Sequence, residues 1–351
     1  MAKLIFCFDG TCNSAQDWDD FFIDSSISNI LKLHLLFGGQ LNPRNAINEQ
    51  IPQQHSFYYS GVGTRGSWFK RKLNALFAPS NGDIDEIINE AQSDLNKHFE
   101  TGDEIFIFGF SRGAAIARMF AAHLPYPVKF IGVFDTVSAQ TSSLDLDPQS
   151  YPSSDIVFEN GSLGAHVEEA LHLVSLDEQR VVFQPTLFNK DERVTEVWFA
   201  GAHSDIGGSY WYDGLADICL QFMIDNIANY LTVLLPTEVN YSNLKPAGAI
   251  DSICLDDLSI KPLYNGKLHH EHRTSINAMT LSPRLMRINL NDKATSEPAI
   301  LHYSVIERFN AVSNYRPYSL RNTKFKVLHK NGQLGKEQIG IHSLNDNVVH
   351  I

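Results

Sequence analysis

Gly109-Phe110-Ser111-Arg112-Gly113 sets a serine between two glycines. It follows the apolar run Ile105-Phe106-Ile107-Phe108, which reads as a strand buried on both faces, and precedes a small-residue stretch that reads as a helix ending near His123. In such a G-x-S-x-G the serine occupies a tight strand-to-helix turn, and the glycines leave room for the turn and for close packing of helix on strand. The hydroxyl is pushed outward, and the backbone N–H of Arg112 stands at a helix start, where it can help to stabilise an oxyanion. This is the chemistry of a nucleophile; a purely structural turn serine is the competing reading. Asp135 follows the strand-like Val128–Phe134, so its carboxylate can reach the same sheet edge, hold a histidine tautomer and stabilise the imidazolium. A turn or helix-capping aspartate fits that position nearly as well. His203 lies in Ala200-Gly201-Ala202-His203-Ser204-Asp205-Ile206-Gly207-Gly208, directly after the strand-like Val194–Phe199, and has the backbone freedom to project into a cleft as a general base. Asp205 is a rival carboxylate, able to bond His203 or to cap the next segment, and His302 is a reserve base.

The elements that must position these residues alternate. Lys3–Phe8 reads as a central strand closed by Asp9-Gly10-Thr11, a turn that leaves the Asp9 carboxylate and backbone N–H groups at the strand's C-terminal end, where open α/β sheets bind ligands. Ser26 or Ser28 caps a helix from Asn29 to Leu36, stopped by Gly38-Gly39. Phe57–Ser60 looks like a short strand. Asp83 with Glu86 makes a capping-box-like start, and Ile84, Ile87, Ile88, Ala91 and Leu95 follow at helical spacing. Strand and helix in alternation imply parallel strands with right-handed crossovers. Further on, Glu168–Leu176 reads as helical, and Gly214–Leu231 as a core helix or a lid, with core the safer expectation. Thr323–Ile341, with Lys330-Asn331-Gly332 between apolar runs, reads as a β-hairpin. The chain order Ser, Asp, His is the one used by α/β hydrolases.

Composition narrows the function classes. The 351 residues are 43% hydrophobic and 19% charged, enough for a large core. Forty acidic against 28 basic side chains give a net charge of −12, which argues against a general nucleic-acid surface and weakens steering toward anionic lipid. Met1–Phe6 leads straight into a strand-like run, so no Sec signal peptide is expected, and no window approaches a membrane span. The expectation is a protein cytoplasmic as synthesised. Cys7, Cys12, Cys219 and Cys254 lack paired metal spacing and read as reduced, mostly buried thiols.

Two other chemistries compete. Gly61-Val62-Gly63-Thr64-Arg65-Gly66 fits G-x-G-x-x-G, with Asp83 and Asp85 near the distance of a ribose-binding acid. Its strand is polar-aromatic and Ser67-Trp68-Phe69-Lys70-Arg71-Lys72 is a poor phosphate-facing helix start, so a glycine-rich loop lining a cleft is preferred. The aromatic and basic residues from Trp68 to Lys72 suit a transient membrane-surface contact, though a solvated helix face is the stronger expectation. Asp9, Asp135, His203 and Asp205 all fall at strand ends and would suit a divalent metal in phosphoester hydrolysis, leaving the serine idle. His269, His270 and His272 have no ligand-spaced companions, so an exposed loop is expected there and no metal or cofactor is called for.

A series of motifs makes the reading specific. Phe8-Asp9-Gly10-Thr11-Cys12-Asn13, Gly61-Val62-Gly63-Thr64, Gly102–Ala114, Phe134-Asp135-Thr136-Val137, Leu176-Asp177-Glu178-Gln179-Arg180 and Val197-Trp198-Phe199 with His203–Gly208 occur in order. Together they resemble the α/β-hydrolase catalytic domain of the first class of type VI secretion lipase effectors. His302–Val305 and Tyr315-Arg316-Pro317 are similar to that family's closing segment. The resemblance implies Ser111 as nucleophile, Asp135 as acid and His203 as base, with phospholipid acyl esters as substrate. It also implies the Gly10 or Thr11 N–H as a second oxyanion donor beside Arg112. If the chain is an effector, export by a type VI system and an immunity or delivery partner follow.

The expected fold is therefore α/β-hydrolase-like, a mostly parallel sheet flanked by helices. A catalytic domain over residues 1–321 carries inserted or cap-like segments near 140–190 and 236–300, and residues 322–351 form a C-terminal hairpin extension. The expected activity is that of a serine esterase or lipase, with a metal-dependent phosphoesterase or a non-catalytic binding protein as alternatives.

Overall fold

The computed structural model describes residues 1–10, 26–45, 50–61, 81–137, 161–245, 252–269 and 281–347. Their organising element is a nine-stranded sheet in the order β11-β10-β9-β6-β5-β4-β3-β1-β2. The strands are β1 (Lys3–Phe8), β2 (Gln54–Tyr59), β3 (Glu104–Phe110), β4 (Phe130–Phe134), β5 (Ala170–Ser175), β6 (Val194–Phe199), β9 (Ala299–His302), β10 (Lys324–Leu328) and β11 (Leu334–Ile339). Every neighbouring pair is parallel except β10 with β11, the two arms of the C-terminal hairpin. A separate antiparallel pair, β7 (Asn289–Leu290) with β8 (Lys293–Ala294), lies outside the sheet.

Alternate residues along the central strands feed two apolar layers, as the period of two requires. Ile5, Cys7, Phe106, Phe108, Leu171, Leu173, Val197 and Phe199 pack on one face with α1 (Asn29–Leu36) and the helix Gly214–Ile227. Leu4, Phe6, Phe8, Ile105, Ile107, Ile131 and Val133 pack on the other with α2 (Asn81–His98) and α3 (Ser111–His123). Both faces are covered, which is why these strands read as nearly continuous apolar runs. Of the two candidate caps, Ser28 is the one used: its Oγ accepts the Leu31 N–H at 3.1 Å. Lys32 of α1, almost wholly buried, ties that helix to Asp213 (2.7 Å) and Asp217 (3.0 Å) at the start of the helix Gly214–Ile227. That helix buries Leu215, Ile218, Cys219, Met223 and Ile227, so it is core and not a lid.

One element differs from expectation. Ala170–Ser175 is the strand β5 and not part of a helix; all six residues are buried between β4 and β6. A short apolar run covered on both faces has no distinguishing period, and here tertiary pairing decides. Among the described residues Cys7 and Cys219 are buried free thiols and Cys254 is an exposed one.

Register at the C-terminal ends of the strands builds the site. Phe8 lies opposite Gly109 and Phe110 opposite Phe134, so β1, β3 and β4 end side by side. Close approach there requires glycine. A Cβ on Gly113 would stand 2.2 Å from the Asp9 carbonyl oxygen, and one on Gly109 2.6 Å from the Ala114 Cα.

Candidate active site

Ser111 turns the chain from β3 into α3 with φ +57°, a left-handed state that costs a non-glycine residue about 1–2 kcal/mol. The residue before it is extended, so the reversal is concentrated at the serine. Asp135, directly after β4, also has a positive φ, +42°. His203 opens α4 (His203–Gly207), a single helical turn after β6.

These three side chains meet. Asp135 Oδ2 stands 2.5 Å from His203 Nδ1, and His203 Nε2 stands 2.7 Å from Ser111 Oγ. A carboxylate can only accept, so Nδ1 carries the proton and Nε2 is left to accept from the serine hydroxyl. The imidazole sits between Phe110 and Phe183, ring centroids 4.7 and 4.8 Å away. Its burial disfavours the imidazolium and outweighs the bond and charge of Asp135, so its pKa is lowered from the ordinary value.

Asp135 is wholly buried and accepts four hydrogen bonds. Besides His203 they come from the Ser175 N–H (2.9 Å) and from both terminal nitrogens of Arg284, Nη1 to Oδ1 at 2.6 Å and Nη2 to Oδ2 at 2.9 Å. Burial alone would raise this carboxyl; the Arg284 charge and the His203 bond together overcome it and hold it well below the usual carboxylate range. Glu178 is the second carboxylate at the base. Its Oε2 accepts the His203 backbone N–H at 3.2 Å, while Arg180 bonds both of its oxygens. Burial raises the Glu178 carboxyl, but Arg180 brings it down to about 2.

The other candidates lie apart from this group. Asp205 accepts the Ala202 N–H (2.9 Å), capping α4, and pairs with His269 Nδ1 (2.6 Å) and the His269 N–H (3.0 Å). It serves the helix start and not His203. His269 is accordingly tied into the fold and stacked on Tyr210, so its loop is not the exposed one expected there; His270 and His272 lie outside the described residues. His302 caps the helix Tyr303–Ala311, bonds Ser304 Oγ at 2.8 Å and packs on Phe199; burial drives its pKa down to about 3. Asp9 accepts the hydroxyls of Ser28 (2.6 Å) and Tyr58 (2.7 Å), and the Gly10 N–H donates to Asp9 Oδ1 at 2.6 Å. The Gly10 donor is thus turned onto its neighbour's carboxylate. Thr11 and residues 62–66 of the glycine-rich loop lie outside the described residues, as do Trp68–Lys72 and residues 138–160. Among the described residues no three His, Cys, Asp or Glu side chains converge as a ligand set.

Sequence reasoning missed Arg284. Ser282-Pro283-Arg284 carries no periodic or motif signal, and the arginine arrives only because its strand-like strap pairs with the loop after β5: Leu281 bridges Arg180, and the Ser282 N–H donates to Gln179 O at 2.6 Å. Glu178 lay inside the motif Leu176–Arg180 without a role attached to it.

A family model described as "T6SS, Phospholipase effector Tle1-like, catalytic domain" matches residues 2–126 and 122–226. The chain belongs to this family. Among curated proteins it is similar to "Uncharacterized protein YEL023C" of Saccharomyces cerevisiae, 34% identical over 132 residues, which is 34% of this chain and 17% of that protein. Among solved structures it is similar to an uncharacterized protein from Pseudomonas aeruginosa, with TM-score 0.43, 18% identity, and 71% of this chain covered. A second, titled as the Tle1 effector bound to the VgrG spike from the Type 6 secretion system, has TM-score 0.38, 24% identity, and 60% of this chain covered. The chain spans 49% and 51% of those two structures. The Tle1-like match contains Ser111, Asp135 and His203 and ends before Arg284. No helix among the described residues is long and apolar enough to cross a membrane.

Proposed function

We propose that this chain is a serine hydrolase of carboxylic acyl esters, acting on lipids and, as its Tle1-like family suggests, on phospholipids. The observation that carries the reading is the unbroken relay Ser111 Oγ, His203 Nε2, His203 Nδ1, Asp135 Oδ2 on a serine at positive φ. Ser111 Oγ attacks the ester carbonyl carbon as His203 Nε2 takes its proton. The tetrahedral oxyanion is stabilised by the Arg112 N–H at the start of α3, with the Thr11 N–H as the second donor, since the Gly10 N–H is engaged by Asp9. His203 then protonates the leaving alcohol, and the acyl group remains on Ser111. Water, deprotonated by the same imidazole, attacks the acyl enzyme; the acid departs and Ser111 regains its proton. Asp135 keeps the tautomer and faces the positive charge that His203 carries in between. No step calls for a metal or cofactor. Family membership further motivates export by a type VI system with a delivery or immunity partner.

The test is hydrolysis of a short-chain nitrophenyl ester and of mixed phospholipid vesicles by the native chain and by Ser111→Ala, with and without chelator. Loss of activity in Ser111→Ala with persistence under chelation supports the serine mechanism, and fatty acid released from vesicles marks a lipase. Activity that survives Ser111→Ala and disappears with chelator overturns the reading in favour of metal-assisted phosphoester hydrolysis.

A further inference from the structure

Arg284 is among the largest fully buried side chains, and it spends its charge on Asp135. The two nitrogens that grip the carboxylate also donate to backbone, Nη1 to Ser175 O at 3.0 Å and Nη2 to Phe183 O. The guanidinium thus fastens three things at once: the carboxylate behind His203, the end of β5, and the turn that presents the Phe183 ring to the imidazole. An isolated buried carboxylate can rotate about its Cβ–Cγ bond; one held by a planar fork cannot do so without breaking both bonds.

We infer that Arg284 is a positioning residue of the reaction, acting through Asp135: it fixes the plane of the carboxylate against His203 Nδ1 and balances its charge. This rests on the serine-hydrolase reading above and adds to it a residue outside the Tle1-like match. The charge balance has a definite consequence. The groups facing His203 are Asp135 after β4, Glu178 and Arg180 after β5, and Arg284 from the strap, two carboxylates and two guanidiniums that cancel; Asp205, on α4 itself, is engaged by His269. A bare Asp135 would draw a proton onto the pair it forms with His203 and keep the base occupied to higher pH. With Arg284 in place the imidazole is neutral and ready to accept from Ser111 in more acidic solution.

The experiment compares the native chain with Arg284→Met, Arg284→Lys and Arg284→Ala. Two readouts are used: the pH profile of kcat/KM on a soluble nitrophenyl ester, and the proton titration of His203 followed by NMR in each folded protein. Arg284→Met is expected to move the acid limb and the His203 titration upward in pH, and to lower kcat by about 100-fold with KM little changed. Arg284→Lys keeps the charge and loses the fork, so it is expected to leave the titration near the native value while kcat still falls. Guanidinium added to Arg284→Ala is expected to restore part of kcat and return the limb toward the native position. An unmoved His203 titration in Arg284→Met, or in Arg284→Ala with and without guanidinium should Arg284→Met not fold, overturns the inference. The titration is read without turnover, so a chain that hydrolyses no ester would sink the proposed function while still deciding the role of Arg284.

Discussion

Ser111 and Asp135 terminate adjacent parallel strands, β3 and β4, in the same unusual way: each is the first residue after its strand and each has a positive φ, +57° and +42°. The shared reversal sends both side chains off the same sheet edge, where His203 meets them from α4. Strain of this kind persists only where the surroundings fix it, here the close packing of Gly113 on the Asp9 carbonyl and the hydrogen bond from the Val137 N–H to the Ser111 carbonyl. Ser111→Gly is therefore expected to stabilise the fold by up to about 1 kcal/mol, since glycine bears no left-handed penalty, while abolishing ester hydrolysis. Thermal unfolding beside an ester assay checks both; a lower melting temperature would contradict the strain argument.

Gly113 carries the complementary prediction. A Cβ there meets the Asp9 and Phe8 carbonyl oxygens at 2.2 and 2.4 Å, both rigid backbone. Gly113→Ala must push the start of α3 away from the end of β1, at a cost of about 1–3 kcal/mol, and open the gap between Arg112 and the Asp9–Gly10 turn. Reduced kcat in the protein that remains folded, with a lower unfolding midpoint, is the expected result; unchanged kcat would separate this turn from the oxyanion.

Acid should act on activity and stability at different points. His203 has a pKa below the ordinary histidine value, so the acid limb of kcat/KM is expected below pH about 6.5. Glu178 is held down at about 2 by Arg180, so its contribution to stability is complete above the unfolded glutamate value and is lost as pH falls toward about 2; Asp135 follows the same sign. Asp177 runs the other way. Burial raises it to about 6, so the stability it contributes is full below the unfolded aspartate value and declines as pH rises through about 6. Asp177→Asn, which can still accept the Gly201 N–H and the Tyr315 hydroxyl, should flatten that decline in a pH series of denaturant melts. A decline of native size in the variant would remove Asp177 as its source.

Much of the fold was legible because parallel strands covered on both faces advertise themselves as apolar runs ending in turn residues. Ile105–Phe110 with Ser111, Phe130–Phe134 with Asp135 and Val194–Phe199 ahead of His203 all follow that pattern. The Ala170–Ser175 strand was not, because Glu168 and Glu169 before a short stretch with only four apolar residues, Ala170, Leu171, Leu173 and Val174, fit a helix as well as a buried strand, and only its neighbours β4 and β6 decide. Arg284 was illegible for a different reason. An arginine in a proline-containing loop carries no local mark of burial, and its partners Asp135, Ser175 and Phe183 are about a hundred residues or more upstream.

The lipid reading makes a separate demand on the surface beside the site. Tyr210 stacks on His269, which Asp205 holds two residues beyond His203; Trp211 and Tyr212, next in the chain, are exposed at 40% and 60%. The Leu263 N–H donates to Gly214 O, which brings exposed Leu263 and Tyr264 alongside them, and Lys267 lies over the Tyr212 ring at 4.9 Å. Aromatic rings with an apolar body and a polar tip, flanked by lysine, suit the boundary between water and acyl chains. Trp211→Ala with Leu263→Ser is expected to weaken hydrolysis of phospholipid vesicles by about tenfold, roughly 1.4 kcal/mol of lost interfacial burial, with kcat/KM on a soluble nitrophenyl ester unchanged. Equal losses on both substrates would assign these residues to the fold of the site, and no loss on either would leave the patch without a part in reaching lipid.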